Sequence, residues 1–353
     1  MILLLPVLLF LTFYKSDFKA KNFTDDYLSK EKTLAIKGFF VILVFFRHCF
    51  SYLKLTSIID KPMEILVNVL GQSIVSMFLF YSGYGIYEQI KRKKDTYIKN
   101  FPIKRLGKLF LDFVIAIITF IIVNASTGTL KNYSINKILL AFIGWESIGN
   151  SNWYMFVTFI TYIFVIISFN IFKNSDKKSI ILTIILTLIY SVVILKFKHQ
   201  IWMNTSLCFT LGMLYSYYKI NIEEFLKNNK NYLIVGVIIS IIYIVLNLVY
   251  YKTVNPYIYV VISSIFALII VMITMKFTIN SEILKKLGKN VFWIYILQRI
   301  PMMILYNFGM QKNQYIFFVA SLVITIIVAD IYNNIIDKKL MKYIFEDKQK
   351  KSN

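Results

Sequence analysis

The chain has 353 residues, of which 58% are apolar and only 16% are charged, and its formal net charge is +22. Soluble domains average about 25% charged residues, so this composition excludes a soluble enzyme or binding module. Several apolar runs reach the roughly 20 residues that a helix needs to cross a bilayer, and they lack the strict alternation of a lipid-facing barrel strand. We therefore predict an all-α polytopic membrane protein.

In chain order, the apolar runs predict eleven spanning helices, near residues 1–14, 34–53, 66–87, 109–123, 153–172, 179–195, 201–218, 232–251, 257–275, 290–308 and 315–336. The first run has no basic residue before it and no small-residue cleavage site, which favours a retained anchor over a removed signal peptide. The predicted organisation is an anchor and connector at 1–30, a ten-helix core at 31–340 and a basic tail at 341–353.

The basic residues are distributed unevenly between the two sets of loops. The loops that include 15–33 and 88–108, together with the tail, hold 29 of the 40 Lys and Arg, whereas the alternate loops hold 8. The positive-inside rule then predicts that the N-terminus is outside and the C-terminus is cytoplasmic. The surplus positive charge is explained by topology and by attraction to anionic membrane lipids. The alternative is that part of it forms a docking surface for a polyanionic donor. No nucleic acid is predicted as a partner.

Lys37 and His48 are the first candidates for chemistry. Eleven helical steps turn about 1100°, so both side chains face the same way about three turns apart. Such groups are expensive in hydrocarbon unless they face a polar cavity, so the pair predicts a polar path across much of the bilayer. The alternatives are a lysine that snorkels to the interface and a histidine that is hydrogen-bonded for structural reasons.

Two further intramembrane charges, Arg299 and Asp330, are predicted at similar depth on the last two helices. A mutual ion pair is the first interpretation and a donor-site role for Arg299 is the second. The spacing of Cys49 and Cys208 predicts neither a metal site nor a disulfide framework.

Several short motifs occur in a characteristic order. They are Lys37 and His48 with ten residues between them, Phe78–Tyr84 (FLFYSGY), Lys104–Leu109 (KRLGKL), Asn152–Met155 (NWYM), Leu287–Asn290 (LGKN) and Trp293–Leu297 (WIYIL). The ordered set resembles the acyltransferase-3 family of bacterial membrane O-acyltransferases. Lys37 stands where most members have Arg, and Gln298 stands where many have a late His.

The resemblance implies that residues 31–340 form a membrane acyltransferase core in a bacterial cell membrane. It implies transfer of an acyl group, most often acetyl, from cytoplasmic acetyl-CoA to a hydroxyl of a cell-surface polysaccharide or its lipid-linked precursor, with no metal. Its expected partners are therefore an acyl-CoA, a glycan or lipid-linked saccharide, and membrane lipids.

With the resemblance, catalysis is expected from His48 and Lys37. Neutral imidazole suits a general base near neutral pH, so His48 either deprotonates the acceptor hydroxyl or carries the acetyl group itself. Lys37, Arg105 and Arg299 are predicted to bind the donor. The residues predicted to bind substrate are Ser82, Tyr84, Asn152, Trp153, Tyr154 and Gln298.

Each of these assignments has a structural alternative. Ser82 and Gly83 are also typical of small-residue helix packing, and Arg105 of orientation charge. Asn152–Tyr154 could be an aromatic anchor at the membrane surface. A transporter or flippase for a lipid-linked saccharide is the main functional alternative and a glycan polymerase the third, although no inverted repeat or pair of broken helices points to a carrier.

Overall fold

A computed structural model describes residues 1–54, 57–341 and 344, so the predicted tail at 341–353 lies almost wholly outside the described residues. Within them the α-helices are α1 (Leu4–Phe13), α2 (Lys30–Phe50), α3 (Lys61–Leu70), α4 (Ser73–Phe101), α5 (Lys108–Ser126), α6 (Ile135–Ala141), α7 (Trp153–Ile171), α8 (Asp176–Ile194), α9 (Leu207–Tyr217), α10 (Lys219–Leu226), α11 (Asn229–Thr253), α12 (Pro256–Lys276), α13 (Glu282–Lys289), α14 (Val291–Leu297), α15 (Arg299–Asn307) and α16 (Gln314–Tyr332). Two π-helical segments lie at Pro102–Gly107 and Asn333–Met341, and short 3₁₀ turns at Ile58–Asp60, Leu130–Asn132, Gln200–Trp202 and Met310–Lys312. Two short strands, β1 (Asp17–Phe18) and β2 (Phe277–Thr278), pair antiparallel.

The all-α prediction is confirmed, but the count of eleven spans is not. In the described part of the chain, seven helical stretches are long and apolar enough to cross a membrane: Lys30–Phe50, Ser73–Ser126, Trp153–Ile171, Asp176–Ile194, Asn229–Thr253, Pro256–Lys276 and Gln314–Leu340. The Ser73–Ser126 stretch bends at Lys94, where φ is 42°.

Three of the predicted spans are shorter or divided in the structure. Helix α1 has 10 residues and is therefore about 15 Å long, about half the thickness of the hydrocarbon core. The predicted span 201–218 begins with a 3₁₀ turn, which leaves only α9. The predicted span 290–308 divides into α14 and α15 at Gln298.

Glycines let α2 and α13 cross at very short range. A Cβ added to Gly38 would lie 1.9 Å from the Leu284 carbonyl oxygen, and one added to Gly288 would lie 1.9 Å from the Leu34 carbonyl oxygen. The contact is reciprocal, as in small-residue interfaces between membrane helices. It fixes the helix that carries Lys37 and His48 against the chain segment that leads into α14.

Helices α4 and α9 meet in the same way. A Cβ on Gly83 would lie 1.9 Å from the Phe209 carbonyl oxygen, and one on Gly212 would lie 2.1 Å from that of Phe80. Gly83 therefore has the packing role that the sequence left open for the Ser82-Gly83 pair.

The loops at the His48 end of α2 contain a compact polar and aromatic contact. Lys198 Nζ lies 2.7 Å from Glu146 Oε1. The same ammonium lies 4.5 Å from the ring centre of Trp145 and 5.2 Å from that of Trp202. The contact holds the segment that leads into α7 against the turn that precedes α9.

Candidate functional site

Helix α2 carries both Lys37 and His48. The side chain of Ser29 caps its first turn by accepting a hydrogen bond from the Lys32 backbone N–H. The helix is continuous from Lys30 to Phe50, so the two side chains share one face about 16 Å apart along the axis. Each lines a different cavity, which we call the Lys37 cavity and the His48 cavity.

The Lys37 cavity has a volume of about 540 Å³. Lys30, Lys37 and Lys289 are the charged residues among the described residues that line it, and no carboxylate is among them. Lys37 Nζ lies 5.4 Å from the ring centre of Tyr81 and has no ion pair within the described part of the chain. The cavity is therefore electropositive, which suits an anionic ligand.

Ser82 and Tyr84 lie in different surroundings although they are neighbours in sequence. Ser82 lines the Lys37 cavity, where its hydroxyl and that of Tyr162 are 2.9 Å apart. Tyr84 does not line that cavity; its ring lies 5.9 Å from Lys219 Nζ. Burial by itself would lower the pKa of Lys219, but Tyr84 and Glu223 outweigh it and raise the pKa.

The His48 cavity has a volume of about 460 Å³ and lies at the other end of the α2 face that carries Lys37. His48 Nε2 is 3.3 Å from the hydroxyl oxygen of Ser151, which is buried. Arg47 is exposed and donates to Asn68 Oδ1 at 2.6 Å. The imidazole is thus held by a neutral hydroxyl and lies beside open volume.

Tyr295 lines both cavities and so marks the place where they adjoin. Its ring centre lies 6.5 Å from that of His48 and 5.0 Å from that of Tyr154. Tyr154 lines the Lys37 cavity, whereas Trp153 lines the His48 cavity. The start of α7 therefore contributes one aromatic side chain to each side of Tyr295.

The prediction of an Arg299–Asp330 ion pair is wrong. The Asp330 carboxylate accepts a hydrogen bond from Asn290 and lies 3.5 Å from Lys286 Nζ. Arg299 begins α15, beyond the break at Gln298, and it lines the His48 cavity instead. Asn290, which binds Asp330, precedes α14, whereas Arg299 follows α14, so the two charges contact different parts of the structure.

Arg105 also lies outside both sets of lining residues. It is exposed, in the π-helical segment Pro102–Gly107 that joins α4 to α5. It precedes by four residues Leu109, which lines the Lys37 cavity. Arg105 thus lies near this cavity without lining it.

Asn152 and Gln298 support neighbouring backbone and line neither cavity. Asn152 Nδ2 donates to the Gly144 carbonyl at 3.0 Å. Gln298 is fully buried, and its Nε2 donates to the Tyr295 carbonyl at 2.8 Å. The roles predicted for these residues as substrate contacts stay predictions.

Sequence reasoning missed Ser151 and Tyr295. Ser151 directly precedes the NWYM motif, and Tyr295 lies within the WIYIL motif, but nothing in either motif indicates contact with His48. The contact depends on where α7 and α14 pack against α2, which no local pattern encodes.

The family model of this acyltransferase domain matches residues 35–333. The chain belongs to the acyltransferase-3 family. The match covers most of the chain and includes Lys37, His48 and Tyr295, which lines both cavities. A search of curated proteins and a search of solved structures found no match. The chain is therefore a multi-pass membrane acyltransferase, in agreement with the resemblance seen in the sequence motifs.

Proposed function

We propose that this acyltransferase transfers acetyl from acetyl-CoA to a hydroxyl of a cell-surface polysaccharide or its lipid-linked precursor. The observation that carries the proposal is that Lys37 and His48, on one face of α2, line two cavities that adjoin at Tyr295. A reaction between a donor from one side of a membrane and an acceptor on the other needs such an arrangement.

The donor binds in the Lys37 cavity. The positive-inside prediction places this end of α2 at the cytoplasmic face, where acetyl-CoA is available. Lys30, Lys37 and Lys289 supply positive charge for its phosphates, each as a mobile ammonium rather than a fixed fork. Arg105 is exposed nearby and attracts the donor before it enters.

The acceptor hydroxyl reacts in the His48 cavity. The imidazole takes the hydroxyl proton as the oxygen attacks the thioester carbonyl; the new C–O bond forms, the C–S bond breaks, and the CoA thiolate recovers the proton. In the second route a ring nitrogen of His48 attacks the thioester carbon and the C–S bond breaks, which releases the CoA thiolate. The acceptor hydroxyl then attacks the acetyl carbon, the C–N bond breaks, and the hydroxyl proton passes to the thiolate. In both routes Ser151 orients the ring through Nε2, and orientation of this kind is a large part of catalytic rate.

The test is the ester content of the polymer, measured by proton NMR on native and deacylated material. His48→Ala should abolish O-acetylation at normal protein level and normal polymer length. His199→Ala is the matched control, because His199 is exposed and only caps a 3₁₀ turn by accepting from the Ile201 N–H. It should leave the ester content unchanged.

Unchanged acetylation in a stably expressed His48→Ala strain would refute the catalytic role of His48. Absent or shortened polymer in a deletion strain would favour a flippase or a polymerase. A polymer of normal length that lacks only its ester supports the acyltransferase.

A further inference from the structure

Arg299 is a cation without a counter-ion among the described residues. Its guanidinium lines the His48 cavity, and its Nε is buried without a hydrogen-bond partner. Its guanidinium carbon lies 5.9 Å from the ring centre of Tyr52. No carboxylate among the described residues forms an ion pair with it. Asp330, the partner predicted from the sequence, is bound by Asn290 and Lys286.

The rest of the His48 cavity does not neutralise this charge. Arg47 is a second cation that lines the cavity, and its guanidinium donates a hydrogen bond to the neutral side chain of Asn68. Glu64 is the one carboxylate among the described lining residues, and it has no ion pair with Arg299 or Arg47 in the described structure. The end of the path where the acceptor reacts is thus electropositive.

An unpaired charge of this kind is expensive in a protein that crosses a membrane. Such a cost is sustained where a ligand supplies the missing charge and hydrogen-bond acceptors. Arginine in particular presents a planar fork that matches the oxygens of a carboxylate or a phosphate.

We propose that the acceptor carries an anionic group, a carboxylate or a phosphate, which Arg299 binds inside the His48 cavity. The inference rests on the proposed function, because it takes this cavity as the acceptor site. Arg299 lies one helical turn beyond Tyr295, and both line the cavity with His48. Binding the anion there fixes a neighbouring hydroxyl beside the imidazole, so Arg299 selects charged saccharides over neutral ones.

The experiment measures binding of three monosaccharide probes to the purified full-length protein in detergent, without donor, by ligand-observed NMR. The probes are methyl glucoside, which is neutral, methyl glucuronide, which is a carboxylate, and glucose 1-phosphate. At least one anionic probe should bind at least tenfold more tightly than methyl glucoside. The anionic probe that binds more tightly shows whether the cavity prefers a carboxylate or a phosphate.

Arg299→Gln should weaken binding of that anionic probe at least tenfold and leave methyl glucoside binding unchanged. Arg299→Lys keeps the charge without the fork and should retain part of the affinity, which shows that the loss does not come from misfolding. Lys252→Gln is the control for general charge, since Lys252 is exposed and lines neither cavity; it should change nothing.

Equal affinity for the three probes, or an unchanged affinity in Arg299→Gln, would overturn the proposal. So would loss of anion binding in Lys37→Gln but not in Arg299→Gln, because the anion would then occupy the donor cavity. The result is independent of the ester assay: loss of acetylation in His48→Ala together with no preference for anions rejects this inference alone.

Discussion

The crossing of α2 and α13 predicts that Gly38→Ala is strongly damaging. The added Cβ would lie 1.9 Å from the Leu284 carbonyl oxygen. That oxygen belongs to the helix backbone, so it cannot rotate away as a flexible side chain would. The helices must separate by about 1 Å to reach even the shortest contact that real Cβ atoms make. Overpacking of this kind costs about 1–3 kcal/mol of stability.

The same displacement has a consequence for activity. Helix α2 carries Lys37 and His48, while α13 leads directly into the helix of Tyr295, so the shift misplaces the two cavities relative to one another. A misplacement of about 1 Å can cost about 100-fold in rate. We expect Gly38→Ala to lose most O-acetyl transfer and Gly288→Ala, on the opposite side of the same crossing, to behave similarly.

The assay combines thermal unfolding in detergent with the ester content of the polymer. Gly85→Ala is the matched control, because Gly85 lies in α4 and no atom is within 4 Å of its added Cβ. It should be neutral or stabilising by about 0.5–1 kcal/mol, since alanine is the better helix former. If Gly38→Ala proves as stable and active as Gly85→Ala, the close helix crossing does not exist as described.

Three further substitutions test other parts of the structure. Ser151→Ala removes the hydroxyl beside His48, a hydrogen bond worth about 0.5–1.5 kcal/mol. It should lower the transfer rate up to about tenfold and the free energy of unfolding by no more than about 1.5 kcal/mol; an unchanged rate would show that Ser151 does not position His48. Val254→Gly removes the backbone strain of a β-branched residue at φ 50°, a conformation that costs about 1–2 kcal/mol. Thermal unfolding should therefore show stabilisation of about 1 kcal/mol, and any destabilisation would contradict the strained turn. Lys198→Gln loses an ion pair and two ring contacts and should destabilise the folded protein by about 1–2 kcal/mol. Lys196→Gln, at an exposed neighbouring position, should not. Equal melting temperatures of the two variants would contradict the Lys198 contact.

The class of the protein and the main stripe of the site followed from the sequence. Apolar runs of spanning length can be satisfied only by structures that bond their own backbone, so composition and run length predicted the all-α membrane protein. The eleven-residue interval placed Lys37 and His48 on one face because helical geometry is fixed locally. The motif order indicated the acyltransferase-3 family, which the family model confirms.

The partners of those residues were decided by tertiary packing. Hydropathy does not register breaks such as the one at Gln298, so the sequence assigned Arg299 to an ion pair with Asp330. Which side chains reach His48 depends on how α7 and α14 lie against α2, and the glycine contact between α2 and α13 holds the segment that leads into α14. Local periodicity thus determines which faces of the helices are polar, and long-range helix contacts determine which polar groups meet.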